Sequence, residues 1–413
     1  MDNQDYLESD TEDFYGQIAQ EVYSSPSDQF PEASHERVSK QTAHDSFNPE
    51  LKKDMTIQEA VKNLVLPFLP AKSLCRFKAV CKDWNRWIKT HFLALQQSFY
   101  FQKTCGFFYQ CPDTFPVFIS LDSSAYGVAC PSLHFLPEYV TVRATCNGLI
   151  CCRGSSGDNS YYICNPSNKE WNVLPEPNLY HGPESALVLA YEPTVLNFKV
   201  GYELVCAVPM INESVVRFEI FSSRSRTWRV VEAVCSDLMG TKLSGDGFYM
   251  KGFAYWETDY GEVLAFDMSY EMYSIFPLPS NRGPEGVLTE CRGELSYIVP
   301  YKLENDGCLI EVYGGMGMNL KDAISFPIGK MAKEGDDDEE EECFRALPCL
   351  SGDKFAVLVG WNLVVYDAKE NSAESLNIRS IYGGGRFLSY VNSLVPVSHH
   401  EMFNEIRGVS AEN

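Results

Sequence analysis

The chain has no run of about 18 or more apolar residues, so it offers no segment long enough to cross a bilayer as a helix. Its first residues carry acids at 2, 5, 8, 10, 12 and 13, with neither a basic start nor an apolar stretch, so no secretory signal is expected. Positive charge is in short supply. Lys and Arg number 34 against 56 Asp and Glu, a net charge of -22, which argues against a protein that holds nucleic acid by neutralising phosphates. The seven histidines, at 35, 44, 91, 134, 181, 399 and 400, never take the spacing of a zinc-binding helix. No GxSxG, P-loop or GxGxxG motif occurs either. No catalytic residue, metal or cofactor is therefore expected. Cysteine is not scarce, but its 15 copies are odd in number, and without a secretory signal they read as thiols of a reducing compartment, nucleus or cytosol.

With 45% hydrophobic and 22% charged residues, the chain has the composition of a folded globular protein. Charge divides it into three regions. Residues 1–53 hold 12 acids and 4 bases with no sustained hydrophobic period, and read as a disordered acidic tail. Residues 54–104 invert the sign, with 3 acids and 8 bases, and place apolar residues at helical spacings. Residues 105–413 hold 41 acids and 22 bases and read as β.

The β reading rests on short apolar runs bounded by Gly, Pro, Asn or Ser: Tyr161–Cys164, Val215–Phe221, Val263–Phe266 and Leu363–Tyr366. Three of them share a pattern in which a strand and a polar turn lead to an aromatic nine positions on: Tyr162 to Trp171, Glu219 to Trp228, Leu264 to Tyr273. Weaker echoes run from Ile310 to Asn319 and from Leu363 to Asp367. A strand-built repeat of about 45 to 55 residues is the mark of propeller blades, because one four-stranded sheet cannot bury both faces alone. Roughly 300 residues make about six or seven blades. Asn147-Gly148 between apolar residues predicts a tight hairpin. Cys151 and Cys152 are adjacent, point to opposite faces of a strand and so read as core thiols, not joint metal ligands. The seven acids Asp336 to Glu342 read either as a solvated loop within a blade or as a docking site for a basic partner.

In the helical region, Val65, Leu66, Leu69, Leu74, Phe77, Val80, Cys81, Trp84, Trp87 and Ile88 form an apolar face too rich for 50 residues to hide alone. Pro67 and Pro70 force it into short helices, and Ser73 is a candidate cap for the next one.

The order Val65-Leu66-Pro67-Phe68-Leu69-Pro70-Ala71-Lys72-Ser73-Leu74-Cys75-Arg76-Phe77-Lys78-Ala79-Val80-Cys81-Lys82-Asp83-Trp84 resembles an F-box, with Ile57-Gln58 where that family opens on Leu-Pro. Further on, Cys146-Asn147-Gly148-Leu149, Asn165-Pro166 to Trp171, Phe198-Lys199-Val200, Phe221-Ser222-Ser223 to Trp228 and Gly252-Phe253-Ala254-Tyr255-Trp256 follow in the order of plant F-box-associated, kelch-like domains. The resemblance implies α+β architecture, with a three-helix F-box over 54–104 followed by an all-β propeller over 105–413. It also implies a non-catalytic substrate receptor of a Skp-cullin-F-box ubiquitin ligase. In that reading Leu66, Leu69, Pro70, Leu74, Val80, Cys81 and Trp84 bind a Skp-type adaptor, and cullin and RING subunits join through it. The propeller then holds a protein substrate whose contacts the sequence does not name. The alternative is a propeller scaffold or transcriptional co-factor that acts without ligase assembly.

Overall fold

β-branched and aromatic runs between turn residues suit strands that are buried on both faces, and all four runs named above are strands in the computed structural model. The structure describes residues 56–397 apart from 122–127, 129, 157–159, 183–184, 194–200, 211–212, 239–240, 245, 284, 305–306, 329–343 and 379–384. The tail expected over 1–53, Phe198-Lys199-Val200 and the acidic run 336–342 lie outside the described residues.

Among the described residues four α-helices come first, where three were expected over 54–104: α1 (Ile57–Leu64), α2 (Ala71–Phe77), α3 (Lys82–Ile88) and α4 (His91–Tyr100), with a 3-10 turn over Leu66–Phe68. The extra element arises because the prolines split the first half of the region while α4, begun at Thr90, continues the apolar face onto the next domain.

Six sheets follow. The first blade contains β1 (Thr104–Gln110) and β2 (Val117–Ser120). The second runs from β3 (Val140–Cys146) through β4 (Leu149–Gly154) and β5 (Tyr161–Asn165) to β6 (Glu170–Val173). The third holds β7 (Ala186–Ala190), β8 (Glu203–Met210), β9 (Val215–Ser222) and β10 (Thr227–Cys235). The fourth holds β11 (Phe248–Met250), β12 (Phe253–Glu257), β13 (Glu262–Asp267) and β14 (Met272–Pro277). The fifth holds β15 (Val287–Cys291), β16 (Glu294–Leu303), β17 (Gly307–Gly314) and β18 (Asn319–Pro327). The sixth holds β19 (Phe344–Ser351), β20 (Lys354–Val359), β21 (Asn362–Asp367) and β22 (Ser372–Asn377). The last strand, β23 (Arg386–Val391), returns to the first blade and pairs antiparallel with β1, from Thr104 opposite Val391 to Gln110 opposite Arg386. The architecture is thus a six-bladed propeller, which fixes the count left between six and seven.

Each interface between neighbouring blades holds its own apolar cluster, because every inner sheet buries both faces. Alternation along β5 shows it: Tyr161 and Ile163 pack toward the third blade, Tyr162 and Cys164 toward the first. Cys151 and Cys152 divide the same way, as expected. The four runs found in the sequence are all third strands of blades, and Trp171, Trp228 and Tyr273 are each the second residue of a fourth strand. A further repeat is visible only in the backbone. The turn before each fourth strand ends on a left-handed residue, Lys169, Arg226, Glu271, Met318 and Asn371, with φ between 43° and 63°.

The Asn147-Gly148 hairpin joins β3 to β4 with φ of 45° and 96°. A methyl group on Gly148 would fall on the Ser393 side chain, whereas one on Gly252 (φ 85°), in the equivalent turn of the fourth blade, would meet nothing within 4 Å. Gly252→Ala is therefore expected to cost about 1–2 kcal/mol of backbone strain alone. Gly148→Ala should cost about 2–5 kcal/mol by adding overpacking. Urea unfolding of the two variants side by side measures the difference, and equal losses would refute the Ser393 contact.

Candidate functional site

The described chain offers two surfaces at opposite ends of the ring. Antiparallel strands put the first-to-second and third-to-fourth turns of every blade at one end and the remaining connections at the other. The helices sit at the first of these ends.

There, α1 opens with a capping box: Glu59 N donates to Thr56 Oγ1 at 3.2 Å and Thr56 N to Glu59 Oε2 at 2.9 Å. Ser73 does not cap α2. Pro70, extended at φ -58° and ψ 145°, already holds the cap position, and Ser73 lies inside the helix. Leu66 and Leu74 are fully buried and make a core with Ala71, Ile88, Leu93, Ala94 and Leu394. Leu69 and Trp84 are half-buried against that core, Trp84 edge-on to Phe77 at 5.3 Å. Cys81 is exposed and caps α3, its sulfur accepting from Trp84 N at 3.4 Å. Pro70 is exposed, and Val80 is 59% exposed.

The seven signature residues thus divide into two core leucines, two half-buried packers, a cap and two surface residues. Ile57, Leu64, Val65 and Phe68 are also exposed, by 84, 61, 44 and 48%, and sequence reasoning did not single them out as site residues. Their signal was the spacing Ile57, Val61, Leu64 on a helix with no buried residue.

The module is anchored by α4. Leu394 N donates to Gln97 Oε1 at 3.0 Å, Ser98 Oγ lies 3.4 Å from Tyr191 Oη, and Leu95 packs with Tyr191, Val395 and Val397. Asn165 Nδ2 in turn donates to the carbonyls of Ser393 (3.0 Å) and Val395 (2.7 Å), so the segment after β23 is held from both sides.

The opposite end carries exposed aromatics on its connecting loops, Phe115 (46%), Tyr180 (79%), Tyr260 (72%) and Trp361 (39%), while a separate set of residues lines a central cavity of about 1170 Å³. Phe99 and Gln102 line the cavity at the helical end. At the mouth, Arg386 Nε meets Asp246 Oδ1 at 2.6 Å, joining the first blade to the fourth straight across the ring. Burial pushes the Asp246 carboxyl up, opposed by Arg386, Arg143 and Arg345. Glu257 lines the same mouth. Burial pushes its carboxyl up to about 7 against the pull of Arg282.

The loop that bears Tyr180 is fixed from beneath by the fully buried Glu219. This carboxylate accepts from Asn178 N and Nδ2 at 2.8 Å, from Leu179 N at 3.1 Å and pairs with His181 Nε2 at 3.0 Å. His181 Nδ1 contacts Tyr161 Oη at 3.1 Å. The hydrogen bonds from His181, Asn178 and Leu179 outweigh burial and hold Glu219 below the usual carboxylate range.

With this geometry in place, residues 130–299 match the family described as F-box associated beta propeller domain. That match runs from just before the second blade into the fifth. The chain is also similar to three proteins of Arabidopsis thaliana. An F-box protein is 29% identical over 57% of this chain and 69% of its own length. A second F-box protein is 27% identical over 62% of this chain and 64% of its own length. An F-box/kelch-repeat protein is 24% identical over 56% and 67%. The expected resemblance to plant F-box proteins with a C-terminal propeller therefore holds.

Glu219→Ala should cost about 3–5 kcal/mol in urea unfolding, because His181 and the Asn178 and Leu179 amides lose their shared acceptor. A loss under about 1 kcal/mol would show that the network does not hold the loop. For Glu257 the sign runs the other way. Its raised carboxyl makes the folded chain hold a proton that the unfolded chain has released, so stability falls as pH rises from about 4.5 to about 7. Glu257→Gln should flatten that slope, which thermal unfolding at pH 5 and pH 7.5 would detect as a Tm gain confined to the higher pH.

Proposed function

We propose that this chain is the substrate-recognition subunit of a Skp-cullin-F-box ubiquitin ligase, working in the nucleus or cytosol without catalysing transfer itself. The observation that carries the reading is the separation of its two surfaces. Ile57, Leu64, Val65 and Val80 stand uncovered on a helical module that is held at one end of the ring, and the loops bearing the exposed Phe115, Tyr180, Tyr260 and Trp361 face the other way. An adaptor that covers those four side chains would bury apolar surface at an interface centre, worth about 25 cal/mol per Å² before the costs of association. A protein substrate held on those loops would then be presented to a ubiquitin-conjugating enzyme brought by cullin and RING subunits, so that proximity does the work that side-chain chemistry does in an enzyme.

Trp84 and Leu69 pack on the module core, so altering them tests folding as much as binding. Surface changes separate the two. The double variant Leu64→Asp/Val80→Asp should keep the wild-type Tm within a few degrees and lose at least about tenfold of the Skp adaptor and cullin captured on co-expression. Equal capture by both forms would refute the assigned surface. Failure of the wild type itself to capture the adaptor would leave the propeller acting as a scaffold without the ligase.

A further inference from the structure

Burial pushes seven thiols up: Cys105, Cys146 and Cys308 to about 12, and Cys151, Cys152, Cys206 and Cys235 in the same direction. Cys291 is shifted the opposite way. The hydrogen bond from the Cys349 thiol, with the Arg292 charge beside it, outweighs burial and the carboxylates of Asp353 and Asp322. The geometry explains the pairing. Cys291 ends β15 and Cys349 lies in the irregular stretch of β19 between Leu347 and Ser351, so the two sit on the neighbouring inner strands of the fifth and sixth blades. Cys349 N donates to Thr289 Oγ1 at 3.1 Å, and Cys291 Sγ lies 3.7 Å from Gly352 O, which draws the two strands together at the thiols. Cys349 lines the central cavity, as do Glu290 and Arg292 on either side of the 4% exposed Cys291, so a small solute in the channel reaches the pair from there.

A second thiol pair supplies the contrast. Cys152 and Cys164 are hydrogen-bonded too, but both are completely buried and Cys152 is pushed well up. A thiolate, not a thiol, is the nucleophile, so pairing alone does not make a reactive site.

We propose that Cys291 and Cys349 are a peroxide-responsive pair that closes to a disulfide and staples the fifth blade to the sixth. The Cys291 thiolate attacks one oxygen of hydrogen peroxide, the O–O bond breaks, and the departing hydroxide takes a proton to become water. The resulting Cys291 sulfenic acid is then attacked by the Cys349 sulfur. The S–S bond forms, the S–O bond breaks, and a second water leaves with the Cys349 proton. Two thiols are oxidised to one disulfide and one peroxide is reduced to two waters. The linkage closes a long loop of chain, from the end of β15 to β19, and so constrains the unfolded ensemble.

The test uses the full chain, reduced and then treated with a small excess of hydrogen peroxide, with alkylation in denaturant and digestion without reductant. The expected result is a cross-linked peptide pair containing Cys291 and Cys349, lighter by two hydrogens than the two thiol peptides. Cys152 and Cys164 should stay fully alkylated, and the oxidised protein should melt several degrees higher than the reduced one. Cys349→Ser should abolish the cross-link and leave Cys291 as a trappable sulfenic acid. Full alkylation of Cys291 and Cys349 in the treated wild type would overturn the proposal, as would a cross-link found at Cys152 and Cys164 instead. The wild-type result decides the matter even if the variant fails to fold.

Discussion

The strand Arg386–Val391 is the constraint on which the other parts depend. Five of the six blades are continuous in sequence, but a ring of sheets that each bury both faces leaves two apolar faces bare until the first and last blades meet. β23 makes that meeting by pairing with β1 nearly 300 residues upstream, so Phe107 and Tyr109 reach the sixth blade while Phe108 and Tyr390 reach the second. The next residues, Ser393 to Val397, then become the seat of the helical module through Gln97, Asn165 and Leu394. Closure of the ring and placement of the helices are therefore one event.

Local pattern determines much of this, and the sequence shows it where the period is strict. Third strands are continuous apolar runs because both their faces lie between blades, and the aromatic after the following turn recurs because it starts the fourth strand at the same height each time. The Asn-Gly hairpin and the opposed Cys151 and Cys152 are legible for the same reason, since each depends on two adjacent residues. The fifth blade is faint in sequence because its third strand, Gly307–Gly314, leads to a turn carrying Met316 and Met318 and a fourth strand that begins Asn-Leu, with no aromatic at the repeating place.

What the sequence hid are contacts between single residues far apart. Asp246 and Arg386 are 140 positions from one another and His181 and Glu219 are 38, and neither pair belongs to a periodic run. In the helical module the motif was visible but its division of labour was not. A spacing pattern shows that Leu66, Leu74 and Val80 are apolar, and only packing shows that the first two are consumed in the core while the third stays on the surface. The apolar residues of α1 were not marked as site residues because they lie before the dense motif, on an amphipathic helix that sets only Val61 against the module core and buries no residue fully.

The charged pair across the ring bears on shape more than on stability. Asp246 and Arg386 keep 41% and 28% of their side-chain surface in contact with solvent, so water screens their 2.6 Å contact and the pair is a poor source of folding energy. Its value lies in direction. A ring held only by nearest-neighbour interfaces can breathe into an ellipse at little cost, because each apolar interface tolerates small sliding. A bond between the first and fourth blades resists that distortion along one diameter, at the end where Tyr180, Tyr260 and Trp361 stand. The Glu219 network fixes the Tyr180 loop against the third blade at that same end. The cross-ring ion pair and the buried Glu219 network thus both act at the end of the propeller that the helices leave open, and each limits how far that end can change shape.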